Sequence, residues 1–336
     1  MNNDLKRHFG FFLIAVVMSL SAGKAYADMG GIYTVDAQVS EDAQKAIILH
    51  NCDEEVLILG TDLKADKFVG LIRFIPFPSE PVASLAPEKA FVAASELVKK
   101  HGLKVQHFTK SGTYMREPVS LRFHEKLGSH DITGIKVNDA TQFRNWVNDF
   151  FKKKGLPQKK SYPEVEGVVA DYVKRGIAYF VFDFVELNGP VRSIEPVEYR
   201  FKSKEFYYPL KTSNTFAGDR RINLIVICPR TMGRAFDFVF KQQFEAQMSS
   251  SSKIAAQELG GIYPDAQDFF KAQKNLYLQL INYSGDYNFD QDMIADITKG
   301  VDEEVNFSDN NSNPLFDDLG SILPDVKDRF PEKGAR

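Results

Sequence analysis

One stretch of the chain, Ile177–Leu187, constrains the fold more than any other. It is apolar on nearly both of its alternating faces, interrupted only by Asp183 and Glu186. Successive strand residues point to opposite sides, so such a run needs cover on both faces and belongs inside a sheet. Other strand-like runs surround it. Gln44–His50 and Glu55–Gly60 are β-branched and apolar, and they flank Asn51-Cys52-Asp53 as the arms of a hairpin flank its turn. Phe68–Phe77 reads as a third strand, with Pro76, Pro78 and Pro81 expected to end it because proline cannot donate to a ladder. Val119–Leu127, Asp131–Val137, Pro196–Lys202, Phe206–Leu210 and Ile222–Cys228 continue the series.

Helical patterns fall between these clusters. Pro87–His101 carries Phe91, Ala94 and Val98 on one face, with proline suited to its first position and Gly102 at its end. From Asp139 a second helix places Phe143, Trp146, Val147, Phe150 and Phe151 on one side. Lys152, Lys153 and Lys154 fill its last turn, where cations suit the helix dipole, and Gly155 stops it. A third begins at Pro163 and buries Val165, Val168, Val169 and Tyr172 before Gly176. Helices that separate groups of strands, instead of following each strand, predict an α+β fold with mostly antiparallel sheet.

The N-terminus reads as an export signal spanning residues 1–27. Lys6 and Arg7 precede an apolar run from Phe9 to Leu20, and Ala25-Tyr26-Ala27 puts small residues where a signal peptidase accepts them, just before Asp28. That run is too short for a permanent membrane helix, which needs about 20 apolar residues. Loss of residues 1–27 removes Lys6, Arg7 and Lys24 against Asp4, taking the formal charge from −3 to −5. A mildly acidic domain argues against nucleic acid and against an electrostatic membrane anchor. Localisation is therefore expected in the periplasm or beyond the cell, with a mature form that does not span the membrane.

The main domain is expected over residues 28–248. The serine run Ser249–Ser252 reads as the start of a linker and helical segment, 249–300, with a helix over Asp265–Leu280. Residues 301–336 are rich in Asp, Asn, Ser and Pro and predict a poorly structured tail.

Several phrases, in order, resemble an uncharacterised family of exported prokaryotic proteins, the domain of unknown function 2330. They are Asp28-Met29-Gly30, Gln44-Lys45-Ala46-Ile47-Ile48 leading into Glu54-Glu55-Val56-Leu57-Ile58-Leu59, and Phe74-Ile75-Pro76-Phe77-Pro78. Gly128-Ser129-His130-Asp131-Ile132, Trp146, Tyr172 through Tyr179-Phe180, and Tyr207-Tyr208-Pro209-Leu210 follow. The resemblance covers roughly residues 28–230. It implies an exported domain and supplies no catalytic residue.

Candidate chemistry is sparse. Cys52 and Cys228 read first as two separate thiols; one disulfide is the alternative in an oxidising compartment, and it would remove about 5 kcal/mol of unfolded-state entropy. His50 and Cys52 would share a side if their strand continued, so a Cys–His nucleophile pair is conceivable at that hairpin tip. Ser129-His130-Asp131 cannot be a triad, because neighbours along a strand diverge; His130 stays a weak candidate. Asp286, Asn288 and Asp290 imitate the start of a calcium loop, but Gln291 and Ile297 stand where its glycine and closing glutamate belong. No metal site and no cofactor is assigned. The reading is an exported binding or scaffolding domain whose partner is an envelope protein or polymer. The alternative is a hydrolase-like periplasmic enzyme using His50, Cys52 and His130.

Overall fold

In the computed structural model, the residues described are 30–33, 39–103, 130–187, 192–193, 195–215, 219–286 and 288–306. The strand Val119–Leu127, the segment 1–27 and residues 307–336 lie outside them. The strands are β1 (Gly30–Ile32), β2 (Val39–His50), β3 (Glu54–Ala65), β4 (Val69–Phe77), β5 (Val82–Leu85), β6 (Asp131–Lys136), β7 (Tyr179–Leu187) and β8 (Arg192–Ser193). They continue with β9 (Val197–Lys202), β10 (Phe206–Tyr208), β11 (Asp219–Cys228), β12 (Gln247–Met248), β13 (Ser252–Ile254), β14 (Leu276–Asp286) and β15 (Met293–Ala295). The α-helices are α1 (Ala90–Lys100), α2 (Ala140–Lys153), α3 (Pro163–Lys174), α4 (Arg234–Phe244) and α5 (Ala266–Phe269).

The fold is α+β, with antiparallel pairing throughout the described ladders except where β11 runs parallel to β2. A four-stranded sheet has the order β1-β4-β7-β6, and a nine-stranded sheet follows β12-β14-β11-β2-β3-β9-β5, with β13 on β14 and β8 on β3. The apolar run Ile177–Leu187 supplies β7, held between β4 and β6. Phe180, Phe182 and Phe184 on one of its faces meet Tyr172, Phe143, Trp146 and Phe150 of the helices. The Trp146 and Phe182 rings come within 4.3 Å. The other face of the small sheet meets the large one, as where Phe77 packs on Tyr199 and Phe201.

On its far side the large sheet presents Ile47, Leu49, Val56 and Ile58 to Ala90, Phe91, Ala94 and Leu97 of α1. The layers are therefore helices, small sheet, large sheet, helices. This explains why β2, β3 and β7 read as apolar on both faces.

Local chemistry fixes several ends. The Asp139 carboxylate accepts the Gln142 N–H at 2.9 Å and caps α2. Pro76 sits within β4, opposite Phe180 of β7, and does not end the strand. Gly30 is required in β1, since a Cβ there would overlap the Phe74 ring.

The C-terminal third departs from expectation. The helix predicted over Asp265–Leu280 shortens to α5, and from Leu276 the chain is β14, between β11 and β12. The segment 249–300 is thus built into the large sheet and is no linker. Residues 301–306, expected as the start of a loose tail, are tied down: Val301 bridges Thr231, and Ser251 exchanges bonds with Val305. No helix among the described residues is long and apolar enough to cross a membrane.

Candidate functional site

The β2–β3 turn is where the sequence put its Cys–His candidate. Asn51 builds the turn, its side-chain oxygen accepting the N–H groups of Asp53 at 3.0 Å and Glu54 at 2.8 Å. Asn51 also binds the Phe269 carbonyl through its amide, and Gln273 returns a bond to the Asn51 carbonyl. Cys52 is held in the left-handed region at φ 79°, unusual for a residue with a side chain.

The imidazole of His50 does not activate the thiol of Cys52. His50 is fully buried, and its Nδ1 accepts the backbone N–H of Cys52 at 2.9 Å. Burial pulls the His50 pKa down to about 4, so it is a neutral ring at physiological pH. Burial also pushes the Cys52 thiol up, with Arg230 opposing that shift. A nucleophilic cysteine needs the reverse, a thiolate made available by an electropositive setting. Cys52 lines an open groove of about 410 Å³ with Arg230, Lys274, Thr298 and Asp302.

Both cysteines are free thiols, as the reading of two separate thiols has it, and the possible Cys52–Cys228 bridge is not formed. Cys228 points into the core between the sheets, and its Sγ donates to the Arg230 carbonyl at 2.8 Å. Its thiol is pushed up to about 12 by burial.

His130 belongs to a buried ionic cluster. Its Nδ1 lies 2.9 Å from Asp183 Oδ2, and its Nε2 lies 3.0 Å from the Glu195 carbonyl. Arg73 pairs with the same carboxylate. These contacts use both ring nitrogens, leaving neither to take a proton from a substrate. The cluster joins β4, β7 and the residues before β6, and it serves the fold.

The three candidates therefore do not converge. Asn288 and Asp290 of the imitation calcium loop are exposed. Asp292 nearby is fully buried and accepts the Tyr172 hydroxyl at 2.6 Å and the Leu210 and Lys211 N–H groups, each at 3.0 Å. Among the described residues no group of three His, Cys, Asp or Glu side chains could hold a metal ion.

A surface feature that the sequence did not flag is the free edge of β5. All four of its residues are exposed, Val82 at 70% and Leu85 at 61%. Ala86 N–H donates to the Pro196 carbonyl, which makes Ser84–Glu198 and Val82–Arg200 the hydrogen-bonded pairs of the β5–β9 ladder. The N–H and C=O groups of Ala83 and Leu85 consequently point away from the sheet. No described strand pairs with that edge.

No family model matches the chain, and no curated protein matches it. Among solved structures it is similar to baculovirus P35, at 8% identity and a TM-score of 0.43, over 76% of this chain and 96% of that one. It is also similar to a mutated baculovirus P35 after caspase cleavage, at 7% identity and a TM-score of 0.36, over 76% and 99% of the two chains. These likenesses are faint and carry no argument about this chain.

Proposed function

We propose that this chain is an exported domain that binds a partner at the cell envelope by accepting an extended peptide segment along the edge of β5. The observation that carries the proposal is the outward N–H and C=O sets of Ala83 and Leu85, unpaired among the described residues and flanked by exposed apolar side chains. An exposed strand edge is a template for a further strand, and proteins that do not use one usually blunt it with charge, proline or a covering element. Here the edge residues are Val, Ala, Ser and Leu. Val82 and Leu85 lie on opposite faces of β5, and an added strand would set its own side chains beside both, so the fitting partner is an extended segment with apolar residues on both of its faces. Export is supported by the basic, apolar and small-residue order of residues 1–27 and by the resemblance to an exported family. The Cys–His hydrolase alternative has no observation in its favour.

The test is to pan a phage library of random linear peptides against the purified chain from Asp28 onward. Enriched peptides should be extended segments with apolar residues on both faces and should lose binding to Ala83→Pro. That substitution removes an outward donor without touching the β5–β9 ladder. Peptides that bind Ala83→Pro equally well, or a library that yields none, contradict the proposal.

A further inference from the structure

Beside the C-terminus of α1, His101 meets two residues, Ser252 and Glu258, that lie 151 and 157 positions away in sequence. His101 Nδ1 lies 3.0 Å from Ser252 Oγ, and His101 Nε2 lies 3.1 Å from Glu258 Oε1. The imidazole thus bridges a hydroxyl and a carboxylate, the nucleophile–base–orienter order that defines a hydrolytic triad by geometry and not by sequence position. We propose that Ser252, His101 and Glu258 form an acyl-transfer site that hydrolyses carboxylic esters. This goes beyond the peptide-docking reading and does not depend on it.

Each member is held in place. Glu258 accepts the Ala255 N–H at 2.8 Å and Lys100 Nζ at 2.5 Å, besides the contact with His101. Its carboxyl is drawn down to about 2, chiefly by the Lys100 hydrogen bond and then by the Ala255 N–H, so it is an acceptor only. A neutral His101 must then carry its proton on Nε2, facing Glu258, and present the lone pair of Nδ1 to the Ser252 hydroxyl. That is the tautomer a general base requires. Ser252 opens β13, which is fixed to β14 with Ser252 opposite Leu278. His101 and Glu258 side chains are 15% and 22% exposed, accessible enough to meet a substrate.

A fourth feature supports acyl chemistry. In many acyl-transfer sites the backbone N–H following the nucleophile binds the developing oxyanion. Here the Lys253 N–H points away from β14 and binds a carboxylate oxygen of Glu304 at 2.6 Å. An anionic oxygen of the chain itself thus occupies the donor next to Ser252, and Glu304 would compete with a substrate oxyanion.

In the first half-reaction Ser252 Oγ bonds to the acyl carbon and its proton passes to His101 Nδ1. The ester C–O bond breaks as His101 returns that proton to the departing alkoxide. In the second, water adds to the acyl carbon and gives one proton to His101 Nδ1. The acyl–Oγ bond breaks as that proton returns to Ser252, and the carboxylic acid leaves. Ser252 and His101 are the catalytic residues, and Glu258 is a positioning residue.

The test uses the purified chain with a fluorophosphonate probe and p-nitrophenyl acetate. Peptide mapping should place the probe on Ser252, with labelling and ester hydrolysis slowed about 100-fold or more in His101→Gln. Glu304→Gln, which leaves the three residues intact, should label faster, and Glu258→Gln should move the acid limb of the pH–rate profile. A chain whose Ser252 takes no label, or takes it at the same rate in His101→Gln, overturns the proposal.

Discussion

His50 and Glu55 face each other across the β2–β3 ladder, both fully buried. Burial shifts the two in opposite directions: it pulls the imidazole down to about 4 and raises the carboxyl well above its ordinary value, against a Tyr207 N–H that lowers it. Both groups are therefore neutral over a shared window of pH.

For His50 the unfolded chain binds the proton more readily, so the stability it contributes is present above pH 6.5 and lost as pH falls toward 4. The full loss is roughly 3 kcal/mol. His50→Asn, which keeps an acceptor for the Cys52 N–H, should flatten the acid side of the stability–pH curve by about that amount in urea titrations.

Glu55 has the opposite sign. Its folded form holds the proton more tightly, so its contribution is present at low pH and lost as pH rises through the raised pKa. Glu55→Gln keeps an oxygen for the Tyr207 N–H and cannot ionise. It should be more stable than the parent at pH 8, and the gain should shrink toward pH 5.

Asp183 compensates Arg73 and His130 in the core. Asp183→Asn leaves Arg73 without its counter-charge and should cost about 3–5 kcal/mol, the usual effect of breaking a buried ion pair. Arg73→Met combined with Asp183→Asn should recover part of that loss.

The cysteines give a direct chemical readout. Under native conditions a disulfide reagent should find Cys52 slowly, and Cys228 only after denaturant is added, since that thiol is fully buried and pushed up to about 12. Two thiols should be counted in the denatured chain without reductant.

Much of the framework was legible because its periodicity was undiluted. α2 and α3 declared themselves by one apolar face, by the Asp139 cap and by Pro163, and the β2–β3 hairpin by two apolar runs around Asn51. β14 was not, because both of its faces are covered. Leu276, Leu278 and Leu280 pack toward α1 and α5, while Ile281 and Tyr283 pack toward the small sheet. With period two hidden, Leu276 and Leu280 imitate a helix with Phe269 and Ala272. Phe236, Phe240 and Phe244 are buried at helical spacing along α4, a signal present in the sequence but left unread.

The sites were less legible still. Asp183 inside an apolar strand was a sign of a buried ion pair, but nothing local ties it to Arg73, 110 residues away. Ser252 and His101 lie 151 residues apart, and only the docking of α1 against β13 and residues 256–259 brings them together. The free edge of β5 became visible only once β9 was known as its sole described neighbour.

Residue-resolved amide hydrogen exchange reads directly whether β5 accepts a peptide strand. In the free chain Val82, Ser84 and Ala86 should be protected through β9, while Ala83 and Leu85 exchange freely. With an enriched peptide bound, Ala83 and Leu85 should slow by about tenfold or more, since each N–H then closes a ladder bond. If Ala83 and Leu85 are already protected in the free chain, or stay fast with peptide bound, β5 is not the docking edge.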